Sequence, residues 1–251
     1  MELSGRHVVI TGGGTGVGAA LAQSFAGAGA AVTIMGRRRE LLEKVADQTN
    51  ALAQACDVTD RTSINAALNR ARAAHGPVTV AIANAGVARS APFKTTTLEA
   101  LNEALAVNLT GTFSLWQATL SDMTESGWGR MIAIASTAGL KGYRYVGAYC
   151  AAKHAVVGLT RSIAVELGST LVTVNAICPG YVETPMLERT VDNIVEQTGM
   201  TRDQVRAKLT STNPQARFLQ AGEVASAALW LCSEGARSVN GHALSISGGE
   251  V

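Results

Sequence analysis

Long hydrophobic runs, paired cysteines, clustered histidines and basic stretches interleaved with aromatics are all missing from this chain. Each absence excludes a class of protein. The apolar runs are short and broken by Gly, Asn or charge, which rules out a membrane-spanning helix. Aromatic residues make up 4% of the sequence and the formal net charge is +2, so nothing points to nucleic acid as a partner. The four cysteines, Cys56, Cys150, Cys178 and Cys232, form no C-x-x-C pair. That suits a reducing cytoplasm and argues against a zinc site or a disulfide framework. His7, His75, His154 and His242 lack metal-ligand spacing, so no metal is expected. The start, Met1-Glu2-Leu3-Ser4, is acidic and lacks the basic-then-apolar pattern of a signal peptide.

What the chain does have is material for a core. Of 251 residues, 47% are hydrophobic, and no repeat or low-complexity linker divides them, so a single domain over residues 1–251 is expected. Apolar strand-like runs fall at His7–Thr11, Ala31–Met35, Ala51–Cys56, Val78–Ala83, Arg130–Ala135, Leu171–Ile177 and His242–Ile246. Helical spacing fills residues 17–28, 38–48, 60–74, 98–125, 147–168 and 222–233. Most of the strands are apolar almost throughout, as strands covered on both faces should be. This βαβα rhythm predicts an α/β fold: a doubly wound parallel sheet of about seven strands with helices on both faces. Residues 181–218 break the rhythm, being polar and longer than a normal connection. They read as a helical lid over a site, or else as a solvated insertion.

The first strand runs into Thr11-Gly12-Gly13-Gly14-Thr15-Gly16-Val17-Gly18, and a helix follows. Glycine lets the backbone turn tightly and approach a ligand closely. The helix adds unpaired N–H groups and the positive end of its dipole. Such a strand–loop–helix at the N-terminus is a pyrophosphate site of the Rossmann type.

The spacing Gly12-x-x-x-Gly16-x-Gly18 resembles the short-chain dehydrogenase/reductase family, and matches continue along almost the whole chain. They are Asp57-Val58 after the third strand, Asn84-Ala85-Gly86 after the fourth, Ser136 ending the fifth, Pro179-Gly180 after the sixth, and Tyr149-Cys150-Ala151-Ala152-Lys153. Ala83 departs from the pattern, where the family usually has another Asn. The resemblance implies a nicotinamide cofactor held by Gly12, Thr15, Gly16, Val17 and Gly18, by Asp57 and Val58 at the adenine, and by Asn84, Ala85 and Gly86. Pro179, Gly180, Val182 and Thr184 continue that wall, with Thr184 matching the residue that holds the carboxamide. It also implies a homotetramer joined by the long helices.

An acidic residue ending the second strand would mark NAD(H). Here the strand ends in Gly36-Arg37-Arg38-Arg39. Cations at a helix N-terminus oppose its dipole unless an anion sits there, and the guanidinium fork suits phosphate. NADP(H) is therefore favoured, with Arg37 and Arg38 as phosphate ligands. NAD(H) stays possible if the run is simply solvated and balanced by Glu40 and Glu43.

Tyr149 and Lys153 are four apart on a predicted helix and share a face. A nearby ammonium should lower the phenol toward working pH, as acid/base chemistry requires. Ser136 stands at the carboxyl edge of the sheet, where its hydroxyl can bond a substrate oxygen. By resemblance Tyr149 exchanges the proton and also contacts the cofactor, Ser136 orients the carbonyl, Lys153 binds the nicotinamide ribose, and Asn108 helps hold a relay water. Cys150 reads as a packing residue.

The substrate cleft should be lined by Leu140, Tyr143, Tyr145, Val182, Met186 and Leu187, and rimmed by Lys141, Arg144, Arg189, Arg202, Arg206 and Lys208. An apolar pocket with such a rim would suit a 3-oxoacyl or 3-hydroxyacyl thioester, whose carrier bears phosphates. Ser136-Thr137-Ala138 lacks the histidine that hydroxybutyrate dehydrogenases tend to carry, which weakens a small hydroxy acid. A small free ketone or alcohol is the alternative substrate, and a non-catalytic NADP(H) sensor the alternative of another class.

Overall fold

The computed structural model describes residues 2–251. Seven strands form one parallel sheet in the order β3-β2-β1-β4-β5-β6-β7. They are β1 (His7–Thr11), β2 (Ala31–Gly36), β3 (Leu52–Ala55), β4 (Val80–Ala83), β5 (Gly129–Ile134), β6 (Val172–Pro179) and β7 (Ala243–Ile246). All pair in parallel, with Val8 opposite both Val32 and Val80. The fold predicted from the apolar runs is the fold observed.

Alternate residues of the central strands feed two cores. Val8, Ile10, Val32, Ile34 and Ile82 pack with Leu21 and Phe25 of α1 (Gly16–Gly27), Leu42 and Val45 of α2 (Arg39–Thr49) and Val224 and Leu231 near the chain's end. Val9, Met35, Ala81 and Ala133 face the other way. Their partners are Ile64 and Leu68 of α3 (Arg61–His75), Leu115 and Trp116 of α5 (Gly111–Glu125), and Val156 and Val157 of α6 (Gly147–Glu166). Each fully buried Leu, Ile or Phe contributes about 1.5–3 kcal/mol relative to exposure. Covering both faces explains why the strands carry no polar alternation.

Two features differ from the sequence expectation. The helix predicted over 98–125 is interrupted: α4 (Leu98–Leu105) passes through a π-helical turn, Ala106–Thr110, into α5. One extra residue shifts the helical phase within a single turn, too local a change to break the apolar spacing read over the whole stretch, so the sequence reads as continuous. Residues 181–218 hold two amphipathic helices, α7 (Pro185–Thr198) and α8 (Arg202–Thr210). They have a core of their own, in which Leu187, Val191, Val205, Leu209 and Phe218 are buried together. Thr184 caps α7 through the Leu187 amide, and Thr201 with Gln204 forms a capping box on α8. The last helix, α9 (Ala221–Leu231), returns to pack on α1.

Candidate active site

The carboxyl ends of β1, β4, β5 and β6 open onto a cavity of about 370 Å³. Its floor is the glycine loop. Gly12 has φ +68°, and a Cβ at Gly18 would stand 2.2 Å from the Gly12 carbonyl oxygen, so neither position accepts a side chain without rearrangement. The loop is held from β4. Asn84 Nδ2 donates to Thr11 O at 2.8 Å and Gly12 O at 3.2 Å, while the Thr11 hydroxyl accepts from the Asn84 and Ala85 amides at 3.0 and 3.1 Å. Thr11 is a site residue that the sequence reading missed; its only signal was a hydroxyl ending an otherwise apolar strand. No side chain caps α1 and no acid stands in its first turn. The helix N-terminus is thus left for an anion, and the loop fits a dinucleotide pyrophosphate. Gly18→Ala should lower the melting temperature by several degrees, since overpacking costs about 1–3 kcal/mol and each kcal/mol is worth roughly 2–4 °C at this size. Calorimetry with and without NADPH checks this; an unchanged melting temperature would show that the loop relaxes around the methyl.

Arg37 and Arg38 line the same cavity beside Gly36, Asp57 and Val58. Arg39 pairs with Glu43 at 2.7 Å, so one cation of the run is balanced as the alternative reading required. Arg37 and Arg38 have no carboxylate partner among the described residues. Instead, Arg38 Nη2 donates to Thr15 Oγ1 at 3.3 Å, reaching from the second strand's end to the phosphate loop. The Asp57 carboxyl is held below its usual range, first by hydrogen bonds from Thr59 and to a lesser extent by the charge of Arg37.

Ser136, Tyr149 and Lys153 meet across the cavity from that arginine pair. Ser136 follows β5 and its Oγ accepts from the Ala138 amide at 3.1 Å, which fixes its direction. Lys153 is 4% exposed. Its Nζ donates to Ile134 O at 2.8 Å and lies 5.6 Å from the Tyr149 ring centroid. Burial pushes the Tyr149 phenol up to about 12, opposed by its hydrogen bond with Ser136, and pulls Lys153 down to about 8. The expectation that Lys153 lowers the phenol is therefore not met in this state. The enclosure that brings the two groups together disfavours the charged form of each. Tyr149 stands as the neutral phenol, the form that donates a proton.

Asn108 sits in the π-helical turn and is 1% exposed. Its Nδ2 donates to Val87 O and Ala104 O, both at 2.9 Å, but its Oδ1 has no partner. A Cβ built at Gly86 would lie 2.8 Å from that oxygen and 3.7 Å from Lys153 Nζ, so acceptor and ammonium face one small space. A buried acceptor left open is costly unless something donates to it, and a water between Asn108 and Lys153 would do so.

On the substrate side the sequence expectations divide. Tyr143, Val182, Met186 and Leu187 line the cavity as expected, joined by Val146, Tyr181 and Thr190. Leu140 packs on the sheet core instead, and Tyr145 is 61% exposed. The cationic rim is largely dissolved. Arg202 pairs with Glu188 and Asp192, Arg206 with Glu183 and Glu188, and Lys141 with Glu250. Arg144 and Lys208 are exposed away from the lining, so Arg189 is the rim cation that remains at the mouth. Carboxylates of residues 183–192 and Glu250 meet these cations only once α7, α8 and the end segment are folded, so composition alone could not match them.

Comparison with known proteins gives the chain's family. The profile of the family described as short chain dehydrogenase matches residues 6–215. The 2,5-dichloro-2,5-cyclohexadiene-1,4-diol dehydrogenase of Sphingobium indicum is 35% identical over 99% of this chain and 98% of its own. The 3-oxoacyl-(acyl-carrier-protein) reductase of Aquifex aeolicus is 32% identical over 99% of this chain and 98% of its own. The crystal structure of an actinorhodin polyketide ketoreductase with NADPH superposes with a TM-score of 0.95 at 31% identity, covering 100% of this chain and 99% of that one.

Proposed function

We propose, given that this chain belongs to the short-chain dehydrogenase family, that it is an NADP(H)-dependent reductase of a ketone carried on a 3-oxoacyl thioester, or its reverse. Oxidation and reduction at an alcohol/ketone carbon is the chemistry of the family. The observation that carries the finer reading is the pair Arg37–Arg38: neither forms an ion pair among the described residues, though the Asp57 carboxyl feels the charge of Arg37, and Arg38 is joined to Thr15 of the phosphate loop. A bound nicotinamide supplies or accepts the hydride. Gly12, Thr15, Gly16, Val17 and Gly18 would hold its pyrophosphate, and Asp57, Val58, Asn84, Ala85, Gly86, Pro179, Gly180, Val182 and Thr184 its remaining wall. In this reading Ser136 donates a hydrogen bond to the substrate carbonyl, which aligns the oxygen with Tyr149. Tyr149 gives that oxygen its proton as the alcohol forms. Lys153 stabilises the phenolate left behind, and with Asn108 Oδ1 steadies the water that returns the proton.

The thioester is supported by the apolar lining and by Arg189 at the mouth, and in kind by the acyl-carrier reductase among the relatives. The dehydrogenase of a chlorinated cyclic diol supports the alternative, a small free alcohol or ketone. Purified enzyme with NADPH, a 3-oxoacyl-CoA and its phosphate-free N-acetylcysteamine analogue separates them at 340 nm. Arg189→Ala should raise KM for the CoA substrate roughly three- to tenfold and leave the analogue unchanged, the size of one partly exposed charge-assisted contact. Turnover of free cyclic ketones alone would discard the thioester. Tight NADPH binding without turnover of any ketone would favour a sensor.

The reading extends to assembly and place. We take the chain to act as one catalytic unit, with residues 181–218 as its lid. Exposed Leu98, Phe113, Val165 and Trp230 on the outer helices favour a homotetramer. Four buried, unpaired thiols suit a reducing cytoplasm.

A further inference from the structure

Glu250 stands behind the cavity wall, bonded to Tyr143, which lines it. The Glu250 side chain is 2% exposed and directly follows two glycines with positive φ, Gly248 at +65° and Gly249 at +96°. Glu250 Oε1 accepts from the Tyr143 hydroxyl at 2.6 Å and from Lys141 Nζ at 3.1 Å. Lys141 Nζ also reaches the Glu250 carbonyl at 3.3 Å. Because Tyr143 spends its one proton on the carboxylate, its oxygen is left to accept from the Thr137 hydroxyl at 2.7 Å. Thr137 directly follows Ser136. The chain of bonds therefore runs from the Glu250 side-chain carboxylate through a cavity-lining phenol to the neighbour of the carbonyl-orienting serine.

Two further walls touch the same tail. A Cβ at Gly180 would come within 3.2 Å of Glu250 Oε2, so the carboxylate packs on the β6 end. A Cβ at Gly248 would clash at 2.0 Å with Asn213 Oδ1, and one at Gly249 would touch Pro214, both at the base of the lid. A negative charge that is buried this deeply is tolerated only when paired and hydrogen-bonded, and its partners here all come from the substrate loop.

We propose that Glu250 is a positioning residue for the ketone substrate, acting through Tyr143 and Lys141 to hold the loop after Ser136 in its binding shape. The inference rests on the carbonyl-reductase reading of the cavity. Among the described residues the tail bonds neither to the phosphate loop nor to Arg37 or Arg38, and it approaches the cofactor wall only at the Gly180 backbone, so its effect should fall mainly on the substrate.

The test compares Glu250→Ala, Glu250→Gln, Tyr143→Phe and the double variant Tyr143→Phe/Glu250→Ala. Loss of a buried charge-assisted bond should raise substrate KM roughly tenfold in Glu250→Ala, with NADPH affinity changed less than about twofold. Glu250→Gln keeps an oxygen acceptor for Tyr143 and should recover most of the loss. The double variant should be no worse than Glu250→Ala alone, because both act through one contact. Wild-type KM in Glu250→Ala, or additive losses in the double variant, would overturn the proposal. A second readout needs no substrate: hydrogen exchange at the Lys141 and Ala91 amides, which bond Thr137 O and Tyr145 O. Their protection should fall in Glu250→Ala while β1 and β4 stay protected. Unchanged protection, or an equal loss throughout the sheet, would also sink it. Should the wild-type enzyme turn over no ketone, the reaction reading fails on its own, and the exchange result still decides the role of Glu250.

Discussion

Tyr149→Phe is expected to lower kcat for ketone reduction by roughly 10²–10⁴, the span of a positioned general acid, and to leave NADPH affinity essentially unchanged. The substitution deletes one oxygen and preserves the ring that packs in the cleft wall. Steady-state rates and NADPH fluorescence titration on the same preparation separate the two effects. Wild-type kcat in the variant would remove Tyr149 from the chemistry; equal loss of NADPH affinity would make it a binding residue.

The pH profile carries the sign of the same argument. With Tyr149 pushed up to about 12, the phenol stays protonated and able to donate throughout the neutral range. Lys153, pulled down to about 8 by burial, loses its charge first as pH rises. The cation that stabilises the developing phenolate thus disappears above about pH 8, and kcat/KM for reduction should be flat below that pH and decline above it. Alcohol oxidation needs the proton acceptor instead and should rise with pH. A lysine with a lowered folded pKa binds fewer protons folded than unfolded between about 8 and 10.5, so this group makes stability rise with pH across that window. Lys153→Met should abolish the alkaline decline; a decline that persists would have to belong to another group.

Replacing both arginines, Arg37→Ala/Arg38→Ala, should raise the NADPH dissociation constant by roughly 10- to 100-fold, at about tenfold per 1.4 kcal/mol and one to two charge-assisted bonds lost. NADH, which lacks the 2′-phosphate, should bind within about twofold of wild type. Arg37→Ala alone is the cleaner probe, because Arg38 also ties down Thr15 and its loss loosens the loop. The effect should shrink as salt is added, since both side chains are exposed and screened. Equal weakening of NADH and NADPH would show that the pair organises the loop and reads no phosphate.

Much of this molecule was legible before any coordinates. Strands covered on both faces are mostly apolar, so β1, β2, β4, β5 and β6 announce themselves despite single polar residues such as Arg130 and Asn175. Backbone turns that exclude Cβ demand glycine, so Gly12, Gly16 and Gly18 mark the phosphate loop. A fixed helical repeat places Tyr149 and Lys153 on one face. These are local rules, and local rules survive in a one-dimensional string.

What the string could not hold was decided by packing. The π-helical turn that opens the Asn108 oxygen shifts the helical phase too locally to break the apolar spacing. Pairing of Arg202, Arg206 and Lys141 depends on carboxylates of the lid and of the chain's end, brought near only by folding. The Tyr149 shift reversed the simple expectation because enclosure, a property of the whole cleft that also lowers Lys153, outweighs the attraction between neighbours. Residue types and spacing determined the sheet and the glycine loop, and singled out Ser136, Tyr149 and Lys153 as the candidate reactive side chains. Their charge states, their free partners and the tail that braces the substrate wall were set by which distant groups share a low-dielectric interior.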